Sequence, residues 1–256
     1  MTTLLAATPL AVSELAAEFD IEPGYLSAAS CGVAPRRAIA AMRADEDRWR
    51  VGQADLGAYD NTVARTRAAY ARLVGVGADR VAIGSQTSAL VANISASLPD
   101  GAVVLIAAGD FTSMVYPFLV GERLVVREAP VGELADAVTA DTDLVVFSLV
   151  QSATGEVADA DAIAAAAKAA GAATLVDLTQ AAGVLPVDAS RFDATVCHAY
   201  KWLAAPRGVA FLTLTPEFAA RLRPVAAGWY AGEQPWRSVY GSRMELAADA
   251  RRFDVS

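Results

Sequence analysis

The chain has 256 residues, and its 21 Lys and Arg residues against 29 Asp and Glu residues give a formal net charge of −8. This acidic balance argues against a nucleic-acid partner, because general nucleic-acid binding needs a basic face. Hydrophobic residues make up 55% of the chain and charged residues 20%, so disorder is excluded and one large domain, or slightly more, is expected.

Several reactive residue types are scarce in this chain. Histidine occurs only at His198, lysine only at Lys168 and Lys201, and cysteine only at Cys31 and Cys197. Such a small set excludes a zinc site of the Cys/His type and a disulfide framework, so we expect no metal. The N-terminal residues lack a secretory pattern, and no apolar run is long enough to span a membrane. We therefore expect a cytoplasmic protein without a membrane partner.

Two helices are predicted before the first strand. Pro35 occupies a favoured first-turn position for a helix that runs to about Trp49. Asp60 or Asn61 can cap a second helix that runs to about Val74.

From Arg80 onward, short apolar runs alternate with segments of helical periodicity. The runs are RVAIG, AVVLIAA, RLVVREA, DLVVFSLV, AATLVDLT, ATVCHAY and GVAFLTL, and the segments between them include TSALVANISASL, FTSMVYPFLVG and ADAIAAAAKAAG. Apolar runs without polar alternation are typical of strands buried on both faces, and helices between strands imply crossover connections. The pattern predicts an α/β fold with a mostly parallel sheet flanked by helices.

Polar residues follow the predicted strands at their carboxyl ends, where open α/β sheets bind their ligands. Among them is Lys201, which a position at a strand end would partly desolvate. Desolvation lowers the pKa of a lysine and makes its amine available to form an imine with an aldehyde. The aldehyde cofactor that uses such a lysine is pyridoxal 5′-phosphate (PLP), which also needs an acid at its ring nitrogen, an aromatic face and a phosphate cradle. Candidates for these needs follow the strands at Ser85 to Ser88, Asp110, Phe111, Gln151, Asp177, Thr179 and Gln180.

These residues resemble a known family, the fold-type I PLP enzymes of the class V aminotransferase group, which also includes cysteine desulfurases and kynureninases. The resemblance rests on LVDLTQAAGVLPVD followed by CHAYKWLAAPRGVAFL, with weaker matches in YLSAASCGVAPRRAIAAM, GSQTSALVANI, AAGDFTSMVYPFLV and SLVQSATGEVAD. It covers roughly residues 20 to 255.

The resemblance implies a role for each candidate residue. Lys201 looks like the catalytic lysine that binds PLP covalently and later removes the substrate α-proton. Asp177 resembles the partner of the pyridine nitrogen, and Gln180 the donor to the ring oxygen. The other implied cofactor contacts are Phe111 stacked on the ring, Gln151 facing the cofactor or substrate, and Gln86, Thr87, His198 and Tyr200 at the phosphate.

Each residue also has a simpler interpretation. Asp177 alone could cap a strand end, and Lys201 alone could be a solvated loop lysine. Phe111 could pack in the core. Gln86 and Thr87 could form an ordinary helix start, and His198 could be a satisfied core histidine.

The sequence also departs from the family pattern. Tyr200 and Phe111 stand where desulfurases commonly have histidine, which favours the kynureninase-like and aminotransferase-like side. The resemblance divides the chain into an N-terminal segment (1–22), a PLP-binding large domain (23–245) and the start of a C-terminal subdomain (246–256). Family members continue further into that subdomain, which supplies an arginine for the substrate carboxylate. We therefore expect this chain to bind PLP with weak, unselective turnover.

The sequence thus predicts a PLP-dependent enzyme that acts on the amino group or β-carbon of a small amino acid, as a transaminase or a lyase. The alternative is a PLP-binding protein or partner subunit that has lost turnover. A nucleotide-binding domain is disfavoured, because no GxGxxG or GxxxxGK[ST] motif follows a strand. The family resemblance also predicts a homodimer, with Trp229, Tyr230 and Trp236 as candidate interface aromatics. These aromatics could equally belong to a loop that folds back onto its own domain.

Overall fold

The computed structural model describes residues 12–255 and has a single seven-stranded sheet. The strands, in chain order, are β1 (Val81–Gly84), β2 (Val103–Ala107), β3 (Val125–Ala129), β4 (Leu144–Ser148), β5 (Ala173–Asp177), β6 (Ala194–His198) and β7 (Ala210–Leu214). The α-helices are α1 (Val12–Ala16), α2 (Arg36–Arg50), α3 (Leu56–Leu73), α4 (Thr87–Ser95), α5 (Thr112–Leu119), α6 (Leu134–Ala137), α7 (Ala160–Ala170) and α8 (Pro216–Arg221).

The strand order in the sheet is β1-β7-β6-β5-β4-β2-β3. The five strands from β3 to β6 in this order are parallel to one another, whereas β7 runs antiparallel to both of its neighbours, β6 and β1. The predicted fold class, a mostly parallel sheet flanked by helices, is confirmed. Because β7 reverses direction on both sides, β1 runs the same way as β6. The residues after β1 therefore lie at the same edge as those after β2, β4, β5 and β6.

Each face of the sheet carries its own apolar layer. One layer includes Tyr70 from α3 and Ile163 from α7, and the other includes Ile94 from α4 and Phe118 from α5. Most strand residues are buried on both faces, as the unbroken apolar runs predict. Strand β3 is the exception: it lies at an edge of the sheet, it contains Arg127 and Glu128, and its Val125 is 45% exposed.

The helix starts differ from the sequence prediction. Helix α2 begins at Arg36, with Pro35 in the capping position, one residue later than expected. Helix α3 begins at Leu56, and its cap is Asp55, whose carboxylate accepts a hydrogen bond from Ala58 N. The predicted cap at Asp60 or Asn61 is therefore wrong. A capping side chain serves the first free amides of a helix, and Asp55 stands nearer to them.

Asp60 instead binds the loop that contains Trp229, Tyr230 and Trp236, here called the aromatic loop. Its carboxylate accepts hydrogen bonds from the Tyr230 hydroxyl and from Trp236 Nε1. The Trp229 ring also contacts the rings of Tyr230 and Trp236. These contacts favour the interpretation in which the loop folds back onto its own domain.

The segment near residue 254 is anchored to the first strand. Asp254, 5% exposed, pairs with the buried Arg67 of α3 at 2.6 Å and accepts a hydrogen bond from Ile83 N of β1. Residues 1–11 and residue 256 lie outside the described residues. The predicted division into segments 1–22, 23–245 and 246–256 stays a prediction. In the described range, no helix is both long and apolar enough to cross a bilayer.

Candidate active site

A cleft lies at the carboxyl edge of the sheet, where the sequence analysis placed the ligand. Its walls come from the residues that follow β1, β2, β4, β5 and β6. They are Thr87, Phe111, Ser113, Ser148, Ser152, Asp177, Thr179, Gln180, His198, Tyr200 and Lys201. Seven of the predicted site residues are therefore brought together, namely Thr87, Phe111, Asp177, Gln180, His198, Tyr200 and Lys201.

Lys201 follows β6 and is only 6% exposed. Its Nζ lies 5.4 Å from the centre of the Phe111 ring and 5.8 Å from that of Tyr200. Burial lowers the pKa of the Lys201 amine, and the charge of Arg207 lowers it further against the opposing effect of Asp177. A larger share of neutral amine is what attack on a carbonyl carbon requires.

Asp177 ends β5 and is 5% exposed. Thr179 N donates a hydrogen bond of 2.7 Å to Asp177 Oδ1, and no ion pair joins Asp177 to a basic side chain among residues 12–255. Burial raises the pKa of Asp177 to about 6, against the lowering effect of the Thr179 hydrogen bonds. A buried carboxyl group without a cationic partner is costly to ionise, so this site favours a bound group that carries positive charge.

The N-terminus of α4 and the end of β6 form the polar end of the cleft. Thr87, 4% exposed, is the first residue of α4, where free amides and the helix dipole favour an anion. Gln86 precedes it but is exposed and does not line the cleft. His198 packs edge-on against Tyr200 with 4.5 Å between ring centres.

His198 is held close to neutral by its surroundings. Burial lowers its pKa first, followed by the charges of Arg207 and Lys201. The Arg207 guanidinium stacks on the Tyr200 ring at 4.5 Å. His198 Nε2 is buried and has no hydrogen-bond partner within the described part of the chain.

Phe111 precedes α5 and is 46% exposed, so its ring is not part of the core. The structure therefore argues against the simple packing interpretation, since the ring forms a wall of the cleft next to Lys201.

Gln151 is not brought to the cleft. It is 5% exposed, and its amide donates to Asp110 Oδ2 and to the Ser148 carbonyl oxygen at 3.4 and 3.3 Å. Asp110 also accepts hydrogen bonds from Ser148 N and Phe111 N. Gln151 thus belongs to a buried network behind the cleft, which holds the residue that precedes α5.

Gln180 lines the cleft, but its side chain already has protein partners. Its Nε2 donates to the Ala29 carbonyl oxygen at 3.0 Å and to Ser152 Oγ at 3.1 Å, and its Oε1 accepts from Trp202 Nε1 at 2.9 Å.

Three serines of the cleft wall and Arg207 were not predicted as site residues from the sequence. The serines are Ser113, Ser148 and Ser152. Ser148 and Ser152 flank the end of β4 and could have been found by position alone. Arg207 follows a turn after Lys201, and no sequence pattern indicates that it stacks on Tyr200.

The other lysine lies elsewhere. Lys168 is exposed on α7 and borders an open hollow of about 650 Å³ at the opposite edge of the sheet, together with Thr174, Asp193 and Arg221. Within residues 12–255, no cluster of His, Cys, Asp and Glu has the form of a metal site.

The residues of the cleft fit PLP on three independent observations. The orphaned His198 Nε2 and the start of α4 suit a phosphate. The buried Asp177, which forms no salt bridge within residues 12–255, suits a protonated ring nitrogen. The desolvated Lys201 amine suits an aldehyde.

Comparisons with known proteins agree with this geometry. The family model for class V aminotransferases matches residues 123–236. A kynureninase from Deinococcus radiodurans is 32% identical, over 100% of this chain and 69% of the relative. A protein named as a probable cysteine desulfurase of Aeropyrum pernix is 29% identical, over 84% of this chain and 58% of the relative.

Solved structures share the fold. A mutant of the C-S lyase C-DES, with glycine covalently linked to its PLP cofactor, superposes with a TM-score of 0.78 at 21% identity. The match covers 90% of this chain and 65% of the C-DES chain. The chain thus spans between 58% and 69% of the length of these three proteins.

The sheet order and the lysine-bearing cleft define a fold-type I protein of the PLP-dependent group. Within that group, the chain belongs to the class V aminotransferase family. The cofactor of this family is PLP, which agrees with the cofactor predicted from Lys201 and Asp177.

Proposed function

We propose that this chain is a PLP-dependent enzyme that acts on a small amino acid, as a transaminase or a lyase. The observation that carries the proposal is the position of the Lys201 amine, which is buried in one cleft with the Phe111 ring and the Asp177 carboxyl group. When bound, PLP supplies an electron sink for the substrate carbon from which a proton or a substituent departs.

The residues of the cleft have two kinds of proposed role, which are cofactor binding and proton transfer. Lys201 would hold the cofactor aldehyde through its amine, and its free amine would accept the α-proton of the substrate. Asp177 would pair with a protonated ring nitrogen. Phe111 would pack against the ring, and Thr87, the α4 amides and His198 would hold the phosphate.

The aromatic residues support the kynureninase-like side of the family over the desulfurase side. Phe111 and Tyr200 both line the cleft, and the kynureninase relative is 32% identical over the whole chain. Both residues stand where desulfurases commonly carry histidine. A lyase reaction of the kynureninase type is therefore the first activity to assay.

Borohydride reduction tests the proposal. The chain is incubated with PLP, reduced, digested and analysed by mass spectrometry. We expect the label on Lys201, because it is the buried amine of the cleft, and we expect none in Lys201→Ala. Lys168→Ala is the matched control and should label as the wild type does. A label on Lys168, or no label, would contradict the proposal.

Addition of amino acids to the PLP-loaded chain separates turnover from binding alone. A change in the visible spectrum indicates an enzyme, whereas an unchanged spectrum supports the alternative of a protein that binds PLP without turnover.

We also propose a homodimer in the cytoplasm. Helix α2 has no buried residue, and its Met42 and Trp49 are 48% and 72% exposed. An amphipathic helix with exposed apolar residues favours an interface. Light scattering of the PLP-loaded chain would give a monomer if this proposal is wrong.

A further inference from the structure

The segment Ser27–Gly32, here called the N-terminal strap, packs against the turn that carries Lys201. Within the strap, Ser30 N and Cys31 N both donate to the Ser27 carbonyl oxygen. Gly32 N then donates to the Tyr200 carbonyl oxygen at 2.8 Å. The strap is thus bonded to the residue immediately before the lysine.

Gly32 approaches this turn too closely for any side chain. A Cβ built on Gly32 would lie 1.9 Å from the Lys201 carbonyl oxygen and 2.9 Å from Ala204 Cα. Both are backbone atoms, so neither can rotate away, and the position requires glycine because of the close approach. Any displacement of the strap therefore changes the contacts of the Lys201 backbone.

The turn itself is strained and depends on its surroundings. Ala204 N donates to the Lys201 carbonyl oxygen at 3.0 Å, and Ala204 has a φ of 53°. A left-handed conformation is unfavourable for a residue with a Cβ, and it persists where neighbouring contacts hold it.

Gln180 joins the strap to this turn. Its Oε1 accepts from Trp202 Nε1, which can only donate, and its Nε2 donates to the Ala29 carbonyl oxygen, which can only accept. These two partners determine the orientation of the amide. The second Nε2 hydrogen is directed to Ser152 Oγ.

We propose that Gln180 is a positioning residue, which fastens the N-terminal strap so that Gly32 holds the Lys201 turn in place. The environment of the lysine amine then depends on a segment some 170 residues earlier in the chain. The relevance of this arrangement to catalysis rests on the proposed function, but the contacts themselves do not.

Hydrogen exchange on the full chain without cofactor tests the fastening. Gln180→Glu keeps an acceptor for Trp202 but loses both donors and places a carboxylate against the Ala29 carbonyl. We expect the Gly32 amide to exchange about tenfold faster in this variant. Ser152→Ala removes only one acceptor and is the matched control, for which we expect little change at Gly32. Unchanged exchange in Gln180→Glu would overturn the proposal.

The effect on the lysine is measured separately, by the visible absorbance of the PLP-loaded chain as a function of pH. Gly32→Ala changes no charge and removes no donor. We nevertheless expect it to shift the pH at which the absorbance change is half complete. Gly57→Ala is the control, since its added Cβ would meet its nearest neighbour at an ordinary 3.5 Å.

The outcomes are distinguishable. Faster exchange in Gln180→Glu with an unmoved midpoint in Gly32→Ala would show that the strap is merely structural, which overturns the positioning role. Failure of the wild-type chain to bind PLP would contradict the proposed function, whereas the exchange experiment would still decide whether Gln180 fastens the strap. If Gly32→Ala does not fold, Trp202→Phe, which frees the Gln180 amide oxygen, replaces it in the absorbance measurement with the same expected shift.

Discussion

At the scale of single residues, Asp177 and Lys201 illustrate how burial prepares a site for a ligand. Both side chains are at least 94% buried, and burial is the first cause of the raised pKa of Asp177 and of the lowered pKa of Lys201. Each group is shifted towards its neutral form. The free cleft therefore carries an energetic cost that a cationic ring nitrogen and an aldehyde would relieve.

This cost gives a testable pH dependence for Asp177. Its pKa of about 6 in the folded chain exceeds the ordinary value of 3.8. The folded state therefore holds the proton more tightly than the unfolded state, and the cofactor-free chain loses stability as the pH rises through 4 to 6. Asp177→Asn removes this loss and should stabilise the cofactor-free chain at pH 8 by about 3 kcal/mol, or about 6–12 °C in melting temperature.

Thermal melts at pH 4.5 and pH 8 check this expectation, since the gain should be smaller at the lower pH. The exposed Asp47→Asn serves as control and should melt like the wild type at both pH values. The same Asp177→Asn change should reduce turnover of the PLP-loaded chain by orders of magnitude. A variant that melts with the wild type at pH 8 would show that burial does not strain this carboxyl group.

At the scale of elements, Asp55 and Asp60 show how one helix uses two nearby carboxylates differently. Asp55 caps α3, and Asp60, one turn further on, binds the aromatic loop. The sequence predicted the cap at Asp60 or Asn61 and missed Asp55, because a carboxylate near a helix start satisfies the same preference wherever the helix begins. The distinction depends on Tyr230 and Trp236, which are distant in sequence.

A pair of substitutions separates the two roles. Asp55→Ala should cost about 1 kcal/mol of stability through the lost cap and leave tryptophan fluorescence unchanged. Asp60→Ala should shift tryptophan emission to the red, because Trp236 and Tyr230 lose their acceptor and the loop becomes more solvated. Identical emission spectra for the two variants would contradict the assignment of Asp60 to the loop.

Local sequence patterns predicted most of the strands of the sheet correctly. Unbroken apolar runs such as LVVF and ATLV correctly predicted β4 and β5, because both strands are buried on both faces. Strand β3 differs from them, because its own sequence includes Arg127 and Glu128 and it lies at an edge of the sheet, where most of its residues are exposed.

The candidate site also has features that the sequence predicts and features that it does not. Strand ends correctly located Lys201, Asp177 and Phe111 on one cleft, because the topology of parallel sheets brings such residues to one edge. A position at a strand end does not determine the direction of the side chain. Gln151 faces Asp110, and Gln180 faces Ala29, because long-range partners accept their amide hydrogens. No local pattern indicates these partners.

At the scale of the whole molecule, one buried ion pair connects distant parts of the chain. Arg67 of α3 pairs with Asp254, and it also donates to the Val81 carbonyl oxygen of β1. Burial raises the pKa of Asp254, against the lowering effect of Arg67. Removal of one partner alone would leave the other charge buried without compensation.

Arg67→Met should therefore cost about 3–5 kcal/mol of stability in the wild-type chain. In an Asp254→Asn background the cost should be smaller, because the neutral amide still accepts from Ile83 N and leaves no buried charge. Denaturant unfolding of the four chains measures the difference. Equal costs of Arg67→Met in the two backgrounds would show that the charges are not coupled.

The late position of β7 in the chain determines when the cleft can form during synthesis. Val81 of β1 pairs with Thr213 of β7, and among residues 12–255 β7 is the only strand that pairs with β1. At ribosomal rates of roughly 5–20 residues per second, β1 waits on the order of 10 s for its partner strand to emerge. Until then α4 has no fixed strand to start from, so the phosphate end of the cleft is completed last. A nascent chain that ends before β7 should fold its central parallel strands yet have no competent cofactor site.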